Sequence, residues 1–335
     1  MSDFAQTGLI TTLQRLNDGH LAEIERALAD LARTQPIALV LPCHGADLEK
    51  PALTHIVSEL AGAEFLREIV VSMNGLDDAA FARARENFAP LPQRVTLLRN
   101  DAAGGKGGNV RAAFQHLAKS DECLIFATQD CDVASFRRAD LARLCFAVAD
   151  PQLGYRFAKM YYSRVTDRLY GRVTRLFLAP LLHAIVRVAG HLPLVDFLLS
   201  FRYPLAGETA LTRDLAAALP ASPGWSLEIG QLCEIFRTID PREACQVEGG
   251  PGYDHKHQPA ATALADMAAE IARELLAQLA AEGHATSPAL APAYRREAAH
   301  ALRRSASLAR INGLPFDTAA ERAIVETFAT RLDTA

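Results

Sequence analysis

Two carboxylates stand directly after an apolar run in Cys123-Leu-Ile-Phe-Ala-Thr-Gln-Asp130-Cys-Asp132. Acids at i and i+2 suit a hard divalent cation, Mg²⁺ or Mn²⁺, which takes one or two protein oxygens and fills its other sites with water and a phosphate-bearing ligand. Held this way, a cation neutralises charge on a departing phosphate. The bare pattern also fits a solvated turn at a strand end, so its meaning depends on the elements around it.

Four more segments carry polar groups at suggestive spacing. Gly104-Gly105-Lys106-Gly107-Gly108-Asn109 offers backbone amides free of Cβ hindrance beside one ammonium group, as a nucleotide-contacting turn requires. It is not a P-loop, because neither Ser nor Thr follows Lys106, and Val110 breaks the pattern G-x-G-x-x-G. A flexible strand-to-helix turn has the same composition. In Gly249-Gly-Pro-Gly-Tyr-Asp254-His255-Lys-His257, either histidine is a candidate metal ligand. Glu228 lies among apolar residues after Trp225. Burial there needs a hydrogen bond, a metal or a substrate; otherwise it is an ordinary acid in the first turn of a helix. Tyr170-Gly171-Arg172-Val173-Thr174-Arg175 places two arginines and a hydroxyl at helix-like spacing, able to grip a small anion through a bidentate fork or to form an exposed basic face.

The elements that would position these groups alternate in type. Leu9, Leu13, Leu16, Leu21, Ile24, Leu28 and Leu31 predict a helical extension over 1–35, closed by Pro36. Ile37 to Leu41 is a continuous apolar run stopped by Pro42, the mark of a strand covered on both faces. Strands are expected again at Glu68 to Met73, Val95 to Leu98 and Cys123 to Thr128. Helices separate them at Leu53 to Ala61, at Asp78 to Asn87 and from the glycine-rich turn through Leu117. This alternation predicts an α/β fold with a doubly wound, mostly parallel sheet over 36–150. Ligands bind beyond the carboxyl ends of such strands. That selects Pro42 to Asp47, Ser72 to Asp78, Asn100 to Asn109 and Gln129 to Asp132. Pro42, Cys43, Asp47, Ser72, Asn74, Gly105, Lys106 and Asp130 are the candidates for nucleotide contact among them.

The rest is less regular. Region 151–259 is expected to hold a helical stretch from Thr166 to Leu199, the segment Pro204 to Arg213, a helix from Leu227 to Ile239 and a strand near Ala244 to Val247. Region 260–335 reads as alanine-rich amphipathic helices broken near 282–292 and 313–315.

Composition narrows the partners. With 335 residues, 50% hydrophobic and 22% charged, the chain has the material for a buried core. A net charge of −4 gives no global attraction to nucleic acid or an anionic membrane, so any phosphate must be held locally. The six cysteines form no C-x-x-C pair and sit mostly in apolar runs, as buried thiols of a reducing compartment do. With an N-terminus too polar for a signal peptide, this places the chain in the cytoplasm. Leu176 to Leu199 is long and apolar, but His183, Arg187, His191 and Asp196 interrupt it, which argues for packed helices over a membrane span. The apolar second half makes a homodimer plausible.

In their order and spacing, these segments from Ile37 to Pro259 resemble the retaining GT-A glycosyltransferases that make glucosyl-3-phosphoglycerate, and the related mannosyl-3-phosphoglycerate synthases. Leu41-Pro42 is similar to the family's strand end at the uridine loop, Gly105-Lys106-Gly107 to its G-K-G turn, and Asp130-Cys131-Asp132 to its D-S-D metal motif. Gly171-Arg172-Val173-Thr174 matches the acceptor loop G-R-V-T. Ala206-Gly207-Glu208 matches a G-G-E stretch, and Gly224 with Glu228-Ile229-Gly230 matches a helix start. The resemblance implies transfer of a hexose from UDP-glucose or GDP-mannose to 3-phosphoglycerate or a related small hydroxy acid. It also implies Asp132 and His255 as ligands of Mg²⁺ or Mn²⁺, with His255 favoured over His257 by the spacing to Pro259. Donor contacts would come from Lys106, Asp130 and Gly207, acceptor contacts from Gly171, Arg172, Val173 and Thr174, and Glu228 would lie near the acceptor hydroxyl. The chain departs from the family at Pro42-Cys43-His44-Gly45-Ala46, where the family has P-A-L-N-E, so Asp47 would have to supply the acidic contact to uracil. A covalent intermediate on Glu228 and a front-face route are both compatible with these residues. A sugar-1-phosphate nucleotidyltransferase shares the nucleotide-binding domain but needs a G-x-G-T-R-like loop, absent after Leu41. A non-catalytic docking module resting on Leu176 to Leu199 is the non-enzyme alternative.

Overall fold

The computed structural model describes residues 5–17, 20–100, 104–220, 222–250, 252–253, 261–285 and 287–333. The first half runs β1 (Thr11–Leu13), α1 (Leu21–Leu31), β2 (Ile37–His44), α2 (Pro51–Leu60), β3 (Leu66–Asn74), α3 (Asp78–Phe88), β4 (Arg94–Arg99), α4 (Gly105–Leu117), β5 (Ile125–Thr128), α5 (Arg138–Ala149) and β6 (Phe157–Tyr161). A π-helical turn, Val173–Leu178, leads into α6 (Ala179–Ala189) and α7 (Pro193–Ser200). Then come β7 (Thr209–Thr212), α8 (Arg213–Ala218), α9 (Leu227–Thr238), β8 (Ala244–Glu248), α10 (Ala261–Ala281), α11 (Leu290–Ile311) and α12 (Thr318–Asp333).

One sheet of eight strands runs through the molecule in the order β1-β8-β6-β7-β5-β2-β3-β4. All its pairings are parallel except those of β7, which is antiparallel to β5 and β6. The apolar run of β2 shows why the sheet is covered on both faces. Ala38 and Val40 enter a core shared with α4, α6, α7 and the C-terminal helices. Ile37, Leu39 and Leu41 enter a second core shared with α1, α2, α3 and α5. Side chains two apart on a strand share a face, so one run feeds two layers.

The parallel order puts the carboxyl ends of β2, β3 and β5 side by side, where the strand-end rule expects the ligand. Four sequence expectations change. The 1–35 extension is not helical throughout. Thr11–Leu13 pairs with Cys245 to Val247 as an edge strand, and Gln246 Nε2 donates to Thr12 Oγ1 at 2.8 Å. The sheet edge offers hydrogen bonds that a short helix there could not match. Gly104 to Gly108 is not a free turn, because α4 begins at Gly105, and Gly104 at φ +136° is the only residue of the five outside it. A side chain at Gly107 would run into the carbonyl of Ser222, so glycine serves close packing there. Thr166 to Leu199 is interrupted rather than continuous, with helix beginning at the π-turn and Gly190 at φ +82° ending α6. Finally, α5 and β6 fill a stretch for which the sequence suggested no element. Among the described residues no helix is long and apolar enough to cross a membrane, and α6 and α7 are short and packed in the core.

Candidate active site

Beyond β5 the chain is held by a small polar network. Thr128 Oγ1 donates to the carbonyl of Gly207 at 2.7 Å. Buried Gln129 donates through Nε2 to Asp130 O at 3.2 Å, to Tyr253 OH at 2.9 Å and to Glu208 Oε1 at 3.3 Å. Glu208, fully buried, also accepts from Tyr162 OH at 2.9 Å, and the Tyr162 and Tyr253 rings stack at 3.8 Å. The fixed backbone presents Asp130 to Lys106, whose Nζ lies 2.6 Å from Asp130 Oδ1 and 2.8 Å from Glu228 Oε1. Burial alone would lower the Lys106 pKa, but the two carboxylates outweigh it and hold the ammonium well above its ordinary value. A methyl group at Gly207 would collide with Lys106 Nζ and lie 2.7 Å from both Asp130 oxygens. Glycine there lets the pair close.

These groups face a cavity of about 450 Å³. One wall includes Pro42, Cys43, Asp47 and Asn74 from the ends of β2 and β3, then Gly105 and Lys106 at the start of α4, and Asp130 and Asp132 after β5. Asn109 ties these ends together, donating through Nδ2 to Cys43 O at 3.2 Å and Asn74 Oδ1 at 3.3 Å. Ser72 does not reach the cavity. It is wholly buried in the interior of β3, and Asn74, two residues on, takes the wall position. Gly207 stands behind Lys106 and Asp130 rather than on the wall. Expected metal ligand His255 falls in 254–260, outside the described residues. Ligand atoms of Cys43, Asp47 and Cys131 come within 4.8 Å of one another, but Asp47 is already neutralised by an ion pair with Lys50.

The opposite wall comes from helices. Gly171 at φ +66° turns the chain into the π-helical segment, and Arg172, Val173 and Thr174 line the cavity beside it. Such widened turns recur at functional sites. Thr174 Oγ1 itself is buried, with no hydrogen-bond partner among the described residues. Glu228 enters from the first turn of α9, after Trp225, whose backbone N–H donates to Glu270 Oε2 at 3.0 Å. The N–H of Gly224 donates to Gly104 O at 2.9 Å, so the starts of α4 and α9 are tied to each other. Tyr162, Arg164 and Tyr203 also line the wall and were missed. Tyr162 and Arg164 follow β6, and the strand-end rule would have selected them had that strand been legible. Arg172 also meets the C-terminal helix, its Nε lying 2.9 Å from Glu321 Oε1.

No family profile matches the chain. A glucosyl-3-phosphoglycerate synthase of Persephonella marina is 34% identical over 358 aligned residues, covering 99% of this chain and 89% of the relative. The chain belongs to the glucosyl-3-phosphoglycerate synthase family. It is therefore a glycosyltransferase, and the nucleotidyltransferase and non-catalytic readings fall away. Among solved structures, a glucosyl-3-phosphoglycerate synthase of Mycobacterium tuberculosis in complex with Mn²⁺, UDP-glucose and phosphoglyceric acid superposes with a TM-score of 0.64 at 21% identity, over 84% of this chain and 90% of that one. The same synthase with Mg²⁺ and UDP gives 0.61 at 23%, over 80% and 86%. The GT-A fold of the synthase family is thus shared across the sheet and its flanking helices.

Proposed function

We propose that this chain transfers glucose from UDP-glucose to the one hydroxyl of 3-phosphoglycerate, releasing UDP and a proton, with retention of the anomeric configuration. The observation that carries the reading is a single cavity with two chemically different walls. One presents Lys106, Asp130 and Asp132 beyond the carboxyl ends of the inner strands. The other presents Arg164 and Arg172. The names and bound molecules of the Persephonella and Mycobacterium synthases support the same substrates.

Asp132, an oxygen donor half-buried on the donor wall, is chemically suited to Mg²⁺ or Mn²⁺, and the family resemblance adds His255. When bound, the ion supplies charge neutralisation to the diphosphate. The chain's own residues do the remaining work. Lys106, held charged between two acids, holds Asp130 and Glu228 at fixed positions on the cavity wall. Arg172 and Arg164 supply positive charge for the acceptor's carboxylate or phosphate. Holding donor and acceptor together converts an encounter into a near-unimolecular reaction. Among the described residues Glu228 is the one wall carboxylate on the acceptor side, but its ion pair with Lys106 weakens it as a nucleophile. This favours the front-face route, in which a donor phosphate oxygen accepts the proton of the attacking hydroxyl. Fluorinated donor analogues test that step, since a trapped glucosyl ester on Glu228 would overturn it.

The test of the function is transfer itself: 3-phosphoglycerate with UDP-glucose or GDP-mannose, with and without Mg²⁺ or Mn²⁺, read by mass and by the anomeric proton in NMR. A metal-dependent α-glucosylated product from UDP-glucose supports the reading. No product from UDP-glucose, or a mannosylated product in its place, overturns it.

A further inference from the structure

Arg172 and Arg175 leave the π-helical turn of the acceptor wall and reach the same carboxylate on α12. Glu321 Oε1 accepts from Arg172 Nε at 2.9 Å, and Glu321 Oε2 lies 2.5 Å from Arg175 Nη2. Glu321 is 6% exposed, so the pairing lies inside the protein, where a charge is tolerated only when well matched. Its helix is firmly placed. Asp317 Oδ1 accepts from the N–H groups of Ala319 and Ala320, both at 3.0 Å, fixing the start of α12. One face further on, Phe328 packs against Phe177 of the π-turn with ring centroids 5.2 Å apart.

The two arginines differ in what they do. Arg175 donates through Nε to Tyr170 O at 3.0 Å and does not line the cavity, so it anchors the carboxylate from behind. Arg172 lines the cavity. With Nε committed to Glu321, the plane of its guanidinium is set, and Nη1 and Nη2 are left for ligand oxygens. A free arginine side chain would have to lose that rotational freedom each time an acceptor bound.

We propose that Glu321 is a positioning residue for the acceptor: from the C-terminal helix it clamps Arg172 and aims the guanidinium into the acceptor space. The proposal rests on the acceptor reading of Arg172 given above. In it, α12 is part of the acceptor site although it contributes no wall residue.

The experiment is steady-state kinetics of the full chain with UDP-glucose, 3-phosphoglycerate and Mn²⁺ for wild type, Glu321→Ala, Glu321→Gln, Arg172→Ala and the double variant Arg172→Ala/Glu321→Ala. Glu321→Ala is expected to raise the acceptor KM about tenfold, equivalent to about 1.4 kcal/mol, with kcat and donor KM within about twofold. KM does not depend on the folded fraction of a preparation, so a loss of stability does not imitate this result. Glu321→Gln keeps an oxygen for Arg172 and should fall between, at about threefold. In the Arg172→Ala background the second substitution should add little, since its effect passes through Arg172. An acceptor KM in Glu321→Ala within about twofold of wild type, equal rises in both KM values, or multiplying effects in the double variant would overturn the proposal. If the wild type makes no product from these substrates, the acceptor reading fails and the role of Glu321 fails with it; an active wild type beside an unaltered Glu321→Ala overturns the role of Glu321 alone.

Discussion

The two walls of the cavity are built on different principles. On the proposed donor side, Cys43 and Asn74 lie at the ends of β2 and β3 and Asp130 follows β5, neighbouring strands whose parallel register sets their spacing. On the acceptor side, the π-turn, α9 and α12 must each be packed in place before Arg172, Glu228 and Thr174 face a common space, and the Arg172–Glu321 contact spans 149 positions of chain. Backbone hydrogen bonds thus fix one wall, and side-chain packing and ion pairs fix the other. The first should tolerate change outside the site, and the second should not.

Substitutions can sharpen or break this contrast. The largest effect is expected on the donor wall: Asp132→Ala should lower kcat about a thousandfold, the loss of about 4 kcal/mol of charge stabilisation, while thermal unfolding stays near wild type. Near-normal turnover with metal present would remove Asp132 from that role. Lys106→Met leaves Asp130 and Glu228 without their shared cation and should cost about a hundredfold in kcat/KM and on the order of 2 kcal/mol of stability, less than a fully buried pair would lose because all three groups keep some solvent contact. Urea unfolding with m unchanged is the check, and an unaltered midpoint would show that the triad is not a structural link between the walls. Gly207→Ala pushes a methyl group into Lys106 and Asp130 and should reduce kcat about tenfold at a stability cost of about 1 kcal/mol. Arg172→Ala should raise the acceptor KM about tenfold with the donor KM within about twofold, and equal effects on both would mean that the walls are not functionally separate.

The smallest effect concerns Lys159, whose ammonium is buried in β6 and donates to Ala206 O at 2.5 Å, next to Gly207. Burial pulls its pKa down to about 8. The folded chain therefore binds fewer protons than the unfolded chain between about pH 8 and about pH 10.4, and stability contributed by this group rises with pH across that window. Comparing urea unfolding at about pH 7.5 and about pH 9.5, wild type should gain on the order of 1 kcal/mol relative to Lys159→Met. Parallel slopes would contradict the burial effect.

Legibility in the sequence follows the same division. The runs at Ile37, Glu68 and Cys123 and the acids after the last could be read because strands buried on both faces are continuously apolar and ligands gather at their ends. On the opposite wall, Arg172, Thr174 and Glu228 were given their proposed roles by resemblance, since helical spacing alone left them open as a basic face and an ordinary first-turn acid. β6 escaped because Lys159 stands in its middle, and a lysine with both sheet neighbours buried breaks the apolar pattern. With β6 went Tyr162 and Arg164. Glu321 carried no local signal at all: one acid in an amphipathic helix acquires its meaning only from the two arginines it meets across the fold.

The edge strand gives the molecule an order of completion. β1 precedes its partner β8 by 234 positions, as measured between Thr12 and Gln246. Closing so long a loop is slow relative to local pairing, and the edge stays open until β8 has been made. Docking of β1 is accordingly possible only once β8, the strand it pairs with, has been laid down.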